Sequence, residues 1–261
     1  MLFRSLFSLA LAGTGIGGTG ALINGSNGMP SALVCPITLT ANTTIGGSGT
    51  SPGNITLMGI ISGNPSLTQA GSGLLTLGGG VSTFYGGLNL NPNTVVMLAS
   101  NQSAGPGPIT IGANGILIVN IAGNTLANPI TGGSSASIDV LPTAAANTGF
   151  SGNLTGFTGQ LNCPASATTA KVQFTTSETF NINPAATINV TNGGTLYVAN
   201  HNVVVPCTLN LFGTGNSEAY GALRIEAGAL ISGPVNLYGN TTMGNGQTGP
   251  AVQATISGVI S

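Results

Sequence analysis

The chain has 261 residues, of which only three are Lys or Arg and four are Asp or Glu, whereas roughly 25% of residues are charged in an ordinary globular protein. This composition excludes a nucleic-acid or anionic-membrane binding surface, because both need clustered cations. Hydrophobic residues make up 41% of the chain and glycines number 43. That content is too apolar for a disordered chain and is typical of short strands between glycine turns.

The N-terminal stretch MLFRSLFSLALAGTGIGGTGAL has the features of a secretory signal peptide: an arginine, a short apolar run and a small-x-small site at Ala10-Leu11-Ala12. The same stretch recurs inside the chain, where CTLNLFGTG at 207–215 matches FSLALAGTG at 7–15. Gly-Ala-Leu follows both copies. The recurrence favours a strand and turn of the folded protein over a cleaved leader, although cleavage after the first twelve residues stays open.

Two further pairs of blocks recur in the same order. They are PITLTANTTIG (36–46) with PVNLYGNTTMG (234–244), and ITLMGIIS (55–62) with ATISGVIS (254–261). Because all the blocks share an offset of about two hundred residues, 7–62 and 207–261 are predicted to be copies of the same part of a repeat. We therefore expect 1–261 to be a single solenoid segment of a longer repetitive protein.

The stretch GSGLLTLGGGVSTFYGGLNLNPNTVVML at 71–98 reads as Gly-x-Gly, Leu-x-Leu, a small-residue turn, an aromatic before Gly-Gly, and a second strand. The residues of this motif are Gly71, Gly73, Leu75, Leu77, Phe84, Gly86, Gly87, Leu90 and Val95. The segment resembles the autotransporter-associated β-strand repeat of passenger regions in bacterial surface proteins. Leu88 and Asn89 depart from its usual Thr, and Pro92 interrupts the predicted second strand. The resemblance implies a right-handed β-helix exported to the cell surface.

Three later segments repeat a strand–turn–strand outline with apolar residues at every second position. They are PITIGANGILIV (108–119), ATINVTNGGTLYVA (186–199) and GALRIEAGALIS (221–232). Period-two alternation without a helical period predicts an all-β chain. A sandwich or barrel is possible, but a parallel β-helix (β-solenoid) is favoured because its neighbouring rungs satisfy one another's backbone groups. Rungs of roughly 20–25 residues predict about a dozen of them.

Cofactor and metal sites are not expected. Cys35, Cys163 and Cys207 form an odd set without metal-ligand spacing, so buried free thiols are favoured, although one disulfide stays open. His201 has no acidic neighbour to complete a catalytic triad and is interpreted as a turn residue. The glycines of 13–20 match a dinucleotide-binding spacing, but no helix or acidic residue follows them, which favours a turn.

The acidic side chains are candidate catalytic groups, because β-helical polysaccharide lyases and hydrolases depend on carboxylates. Asp139 and Glu178 could meet across rungs, and Glu218 and Glu226 bracket one turn and strand. Arg224 and Glu226 lie two residues apart on one predicted strand, so they are expected to form a solvent-exposed ion pair. No catalytic residue is assigned.

The sequence thus predicts a non-enzymatic, extracellular β-helical passenger or stalk segment of a bacterial surface protein, acting in adhesion or spacing. Its uncharged polar surface favours glycans or other cell-surface and matrix components as partners, with neither nucleic acid nor membrane insertion. Two alternatives remain: a fibre or matrix protein that self-associates end to end through open rungs, and a polysaccharide-degrading β-helix.

Overall fold

The computed structural model describes residues 2–3, 7–25, 29–46, 53–141, 146–165, 169–174, 181–199, 203–226, 228–246 and 253–261. Stacked coils of nearly all-parallel β structure form a β-solenoid of about nine turns. Within these ranges the only helical element is a 3₁₀ turn at Ile16–Gly18. The predicted all-β parallel solenoid is confirmed. The predicted dozen rungs are not confirmed, and right-handedness stays a prediction.

In the described ranges, thirty strands of two to ten residues build the coils. In chain order they are β1 (Leu2–Phe3), β2 (Leu9–Gly13), β3 (Leu22–Ile23), β4 (Ser31–Leu33), β5 (Ile37–Gly46), β6 (Ile55–Leu57), β7 (Ile61–Gly63), β8 (Leu67–Ala70), β9 (Leu75–Leu77), β10 (Thr83–Phe84), β11 (Leu88–Leu90), β12 (Val95–Leu98), β13 (Ile109–Ile111), β14 (Ile116–Val119), β15 (Thr125–Leu126), β16 (Ile130–Gly132), β17 (Ser137–Val140), β18 (Thr148–Phe150), β19 (Gly156–Phe157), β20 (Gln160–Cys163), β21 (Val172–Phe174), β22 (Thr187–Val190), β23 (Leu196–Ala199), β24 (Val204–Val205), β25 (Thr208–Phe212), β26 (Leu223–Glu226), β27 (Leu230–Ile231), β28 (Val235–Tyr238), β29 (Met243–Gly244) and β30 (Thr255–Ile256).

The chain divides into two compact units, Met1–Val119 with Asn128–Ser137, and Asn120–Ala127 with Ile138–Ser261. The first unit contains the strand orders β1-β4-β6-β9-β12-β14 and β10-β7-β5-β8-β11-β13-β16. The second contains β17-β20-β22-β25-β28, which we call its long sheet, a six-stranded sheet β15-β18-β21-β23-β26-β29, and β24-β27-β30. Strands far apart in sequence thus lie side by side, as stacked coils require.

The coils differ in length. Gly80 N donates to Ser100 Oγ over a sequence separation of 20 residues, whereas Asn24 Nδ2 donates to the Asn54 carbonyl over 30. The longer coils have extra residues in the loops between strands, while the strands of neighbouring coils stay paired in register. A chain of this length therefore holds fewer coils than a uniform rung of 20–25 residues predicts.

The interior of each unit is a stack of aliphatic side chains in register. In the first unit Leu57 pairs with Leu77, Leu77 with Leu98, and Leu98 with Val119, and all four are at most 1% exposed. Burying such a side chain is worth about 1.5–3 kcal/mol. The alternation seen in the sequence therefore places the core along every strand.

The apolar members of the 71–98 motif belong to this interior. Leu75 and Leu77 are buried in β9, Phe84 is fully buried in β10, and Leu90 ends β11. Pro92 does not interrupt a strand: it lies in the turn between β11 and β12. The proline is tolerated there because a turn does not need its missing N–H.

The glycines of the same motif lie in turns or where the backbones of neighbouring coils approach closely. Gly71 and Gly87 have φ values of 96° and 89°, and the Gly73 carbonyl accepts a hydrogen bond of 2.9 Å from the Gln69 side chain. A Cβ on Gly86 would lie 2.3 Å from the backbone of the preceding coil. Gly86 therefore permits tight stacking of adjacent coils.

The N-terminal segment forms strand β2, which pairs in parallel with β5. Its later counterpart β25 pairs with β28 in the same register. The paired residues are Leu9–Ile37, Ala10–Thr38 and Leu11–Leu39 in one case, and Leu209–Val235, Asn210–Asn236 and Leu211–Leu237 in the other. Segments with matching sequences thus have matching strand pairs.

The turns that follow these two strands also agree. Gly15 and Gly215 have φ values of 71° and 84°, a region that favours glycine. Thr43 Oγ1 donates to the Leu11 carbonyl at 3.2 Å, and Thr241 Oγ1 donates to the Leu211 carbonyl at the same distance. The two segments therefore share these turn and hydrogen-bond features, although β5 runs unbroken where the later copy has the separate strands β28 and β29.

The three cysteines are buried free thiols, which confirms the interpretation as small buried hydrophobes. Burial raises the pKa of Cys207 to about 12 and raises that of Cys163 further, so these thiols stay protonated. Within the described ranges, no helix has the length and hydropathy needed to cross a membrane.

Candidate functional site

Most of the charged side chains of this protein come together on one sheet. The charged cluster, on the six-stranded sheet of the second unit, consists of Lys171, Tyr197, Glu218, Tyr220, Arg224 and Glu226. β23 contributes Tyr197, β26 contributes Arg224 and Glu226, and Lys171 directly precedes β21. Tyr197 pairs in register with Arg224, so the solenoid itself brings these residues together.

Arg224 lies at the centre of the cluster between two carboxylates. Its Nε donates to Glu226 Oε1 at 2.6 Å and its Nη1 donates to Glu218 Oε2 at 2.9 Å. Glu218 also forms an ion pair with Lys171. The Lys171 side chain is 7% exposed and that of Glu226 10%. Two cations thus compensate two carboxylates in a largely buried setting.

Two tyrosines complete the cluster. The Tyr197 hydroxyl donates to Glu226 Oε2 at 2.8 Å, and the Arg224 guanidinium carbon lies 4.6 Å from its ring centroid. Arg224 also lies 4.4 Å from the centroid of Tyr220. Such cation–π contacts contribute about 0.5–2 kcal/mol each, more where the cation is desolvated. The guanidinium is therefore held by rings as well as by carboxylates.

The predicted ion pair between Arg224 and Glu226 is confirmed, but its predicted solvent exposure is wrong. Both side chains are largely buried, because Tyr197 and Tyr220 cover the guanidinium. The role of Glu218 as a second partner of Arg224 was not predicted. Their spacing of six residues crosses a turn, so only the path of the turn brings the two side chains into contact.

Burial and hydrogen bonding act on the pKa values of the cluster in different directions. Burial and the hydrogen bond to Glu226 raise the pKa of Tyr197 to about 12. Burial alone would raise the pKa of Glu226, but the bonds from Arg224 and Tyr197 outweigh it and lower that pKa. Burial alone would lower the pKa of Arg224, but its hydrogen bonds to Glu226 and Glu218 outweigh burial and raise that pKa. All three groups thus keep their ordinary neutral-pH charge states.

This arrangement has the chemistry of an ion-pair network. An acid–base pair for glycoside cleavage needs one carboxyl group kept protonated near neutral pH. Here Glu226 accepts hydrogen bonds from Arg224 and Tyr197, which lower its pKa and favour its ionised form. The cluster is therefore suited to joining strands, since it links β21, β23 and β26 across two coils.

The pH dependence of stability should reveal the hydrogen bond from the hydroxyl of half-buried Tyr197 to Glu226. The pKa of Tyr197 is about 12 in the folded protein against an ordinary value of 10. Its neutral hydroxyl therefore contributes fully to the free energy of unfolding below pH 10. That contribution is lost as the pH rises towards 12, because the unfolded chain ionises first. Urea unfolding between pH 9 and 12 should show a steeper loss for the wild type than for Tyr197→Phe; parallel curves would contradict this assignment.

The remaining acidic residues do not form a second described site. Asp139 Oδ1 accepts a hydrogen bond of 2.7 Å from Asn162 Nδ2. Glu178, its proposed partner across rungs, and His201 both lie outside the described residues. No group of three or more metal-ligating side chains occurs in the part of the chain that the structure covers. Asp139 instead begins a row of polar side chains.

That row, the asparagine ladder, runs along the long sheet of the second unit with one member in each coil. Its bonds join Asn162 to Asp139 (2.7 Å), Asn189 to Asn162 (2.9 Å), Asn210 to Asn189 (2.8 Å), Asn236 to Asn210 (2.8 Å) and Ser261 to Asn236 (3.0 Å). Each asparagine donates through Nδ2 to its predecessor and accepts through Oδ1 from its successor. Only an in-register stack gives each asparagine a partner for its Nδ2 donor and another for its Oδ1 acceptor.

Replacing Asn189 by alanine should lower the free energy of unfolding by about 1–2 kcal/mol, because it leaves partners on both sides of the ladder unpaired. The matched control is Asn89→Ala in the first unit, whose amide lies 3.5 Å from Thr68 Oγ1. That contact is at the limit of a hydrogen bond, so the control should change stability by less than about 0.5 kcal/mol. Denaturant unfolding measures both, and equal effects would mean that the ladder does not stabilise the stack.

Asparagines of several Asn-x-Ser/Thr triplets have backbone partners. Asn42 Oδ1 accepts from Ser66 N at 3.1 Å, and Asn54 Oδ1 accepts from Leu74 N at 3.0 Å. Both bonds connect neighbouring coils. These asparagines therefore act as stacking residues.

Comparison of the chain with protein-family models, with curated proteins and with solved structures finds no match.

Proposed function

We propose that this chain is a non-enzymatic structural segment of an extracellular bacterial surface protein, in which stacked coils space or present an interacting region. The resemblance of 71–98 to the autotransporter-associated repeat supports a passenger-type protein. The observation that carries the proposal is the asparagine ladder, whose bonds are made from one coil to the next. Such side chains serve the stack itself rather than a substrate.

The charged cluster supports the same proposal. Its carboxylates are bound by Arg224 and Lys171, and its tyrosine rings lie against the same cations. The contact of Lys171 with Glu218 spans 47 residues, so it joins coils that are not direct neighbours. A segment that must stay folded outside the cell benefits from such links between coils.

Surface labelling tests the proposal. Antibodies against the purified chain should label intact cells of the source organism, whereas antibodies against a cytosolic marker should label them only after permeabilisation. Purified protein should release no reducing sugar from pectin, alginate or cellulose. Labelling that requires permeabilisation, or measurable cleavage of any of these polymers, would contradict the proposed function.

A further inference from the structure

An exposed pair of aromatic rings lies at the end of strands β25 and β28. Phe212 and Tyr238 stack with ring centroids 4.5 Å apart and an angle of 9° between ring planes. They are nevertheless 38% and 48% exposed. The stacked rings thus present a flat apolar face at the surface.

The two rings form one wall of a notch with a volume of about 330 Å³. The other residues of this aromatic notch are Asn192, Gly213, Thr214 and Asn240. All of its side chains are uncharged, and they include two amides and two hydroxyls. A flat apolar wall beside a few neutral hydrogen-bonding groups is the usual composition of a small-ligand site.

Glycine backbone keeps the notch open. Gly213 has a φ of 76°, and a Cβ placed on it would lie 2.1 Å from Asn192 Oδ1. A Cβ on Gly239, whose φ is 75°, would meet no atom within 4 Å. The Asn192 amide therefore lies directly over the backbone of Gly213, and open space borders the turn after Tyr238.

The corresponding positions in the first copy of the repeat carry no aromatic rings. Ala12 and Thr40 occupy the positions of Phe212 and Tyr238, whereas Gly13, with a φ of 77°, matches Gly213. Thr40 is exposed on β5, which forms a continuous strand at this point. Strands of the matching sequence thus form without either aromatic ring.

We propose that the aromatic notch binds a neutral oligosaccharide. The C–H groups of a sugar ring can pack against an aromatic surface, while the amides of Asn192 and Asn240 and the Thr214 hydroxyl can bond its hydroxyl groups. The absence of charge among the side chains of the notch favours a neutral sugar over an acidic one. This inference goes beyond the proposed spacer function and does not depend on it.

The test uses the full chain and four defined probes: cellotetraose, chitotetraose, maltotetraose and mannotetraose. Saturation-transfer NMR identifies which probes bind, and calorimetry measures the Kd. The decisive variant is Phe212→Ala with Tyr238→Thr, which installs the residues found at positions 12 and 40 and is therefore expected to fold. Tyr85→Thr, at an exposed tyrosine of the first unit, is the matched control.

At least one probe should bind the wild type and Tyr85→Thr equally, with the Kd raised at least tenfold in the double variant. Absence of binding by all four probes, or equal binding to the double variant, would overturn the proposal. Concentration-dependent association that the double variant abolishes, measured by analytical ultracentrifugation without sugar, would also overturn it, because the rings would then serve contacts between chains. None of these outcomes bears on surface labelling, so the two proposals fail separately.

Discussion

Replacing Arg224 by methionine should lower the free energy of unfolding by about 3 kcal/mol, at the lower end of what removing one partner of a buried ion pair costs. The substitution keeps an unbranched side chain between Tyr197 and Tyr220, but it removes the cation shared by Glu218 and Glu226. Both carboxylates then stay largely buried with fewer partners. Guanidinium unfolding followed by circular dichroism measures the loss.

A triple variant separates lost charge from lost packing. Glu218→Gln with Arg224→Met and Glu226→Gln removes the unpaired charges together, so it should recover much of the stability that the single substitution loses. Neutral amides can still accept hydrogen bonds from Tyr197 and Lys171. A single variant as stable as the wild type, or a triple variant less stable than the single one, would contradict the described network.

Replacing Gly59 by alanine should lower the stability of the first unit by about 2–4 kcal/mol through overpacking. A Cβ at this position would lie 1.8 Å from the carbonyl oxygen of Cys35 in the preceding coil. Because that atom belongs to the backbone, no rotamer change can relieve the contact, and the coils must separate. Thermal and denaturant unfolding both detect such a loss.

The matched control for Gly59 is Gly78→Ala. Its Cβ would have the Leu57 carbonyl oxygen, at 3.8 Å, as its nearest neighbour, which is an ordinary contact. We expect a change within about 0.5 kcal/mol for this control. Similar losses for both variants would mean that close stacking at Gly59 does not limit the fold.

The strands were predictable because alternation is a local property. In Ile109-Thr110-Ile111 the sequence shows which side chains face the core, and the structure buries both isoleucines and exposes the threonine. The number of coils was not predictable in the same way. Loop residues between strands vary the coil length from 20 residues at Ser100 to 30 at Asn54, and no local pattern marks which loops are longer.

The candidate site was likewise predictable in its local contacts but not in those that depend on coil length. The contact between Arg224 and Glu226 follows from their spacing of two residues on one strand. The contact of Lys171 with Glu218 depends on two successive coil lengths, since 47 residues separate the pair. Sequence spacing alone therefore revealed one ion pair, whereas the network around it required the register of three strands.

The central claim, that coils stack in parallel and in register, is tested most directly by disulfide cross-linking. Strands in such a stack lie about 4.8 Å apart, within the range of Cα separations that a disulfide spans. Ala10→Cys with Thr38→Cys, and Asn210→Cys with Asn236→Cys, place cysteines at paired positions in the two copies. Peptide mapping by mass spectrometry after mild oxidation should find both new disulfides. Shifted variants with cysteines at 10 and 39, or at 210 and 237, should form no disulfide, because the two side chains face opposite sides of the sheet. Equal cross-linking of the shifted pairs, or none at the paired positions, would contradict the stacked-coil structure.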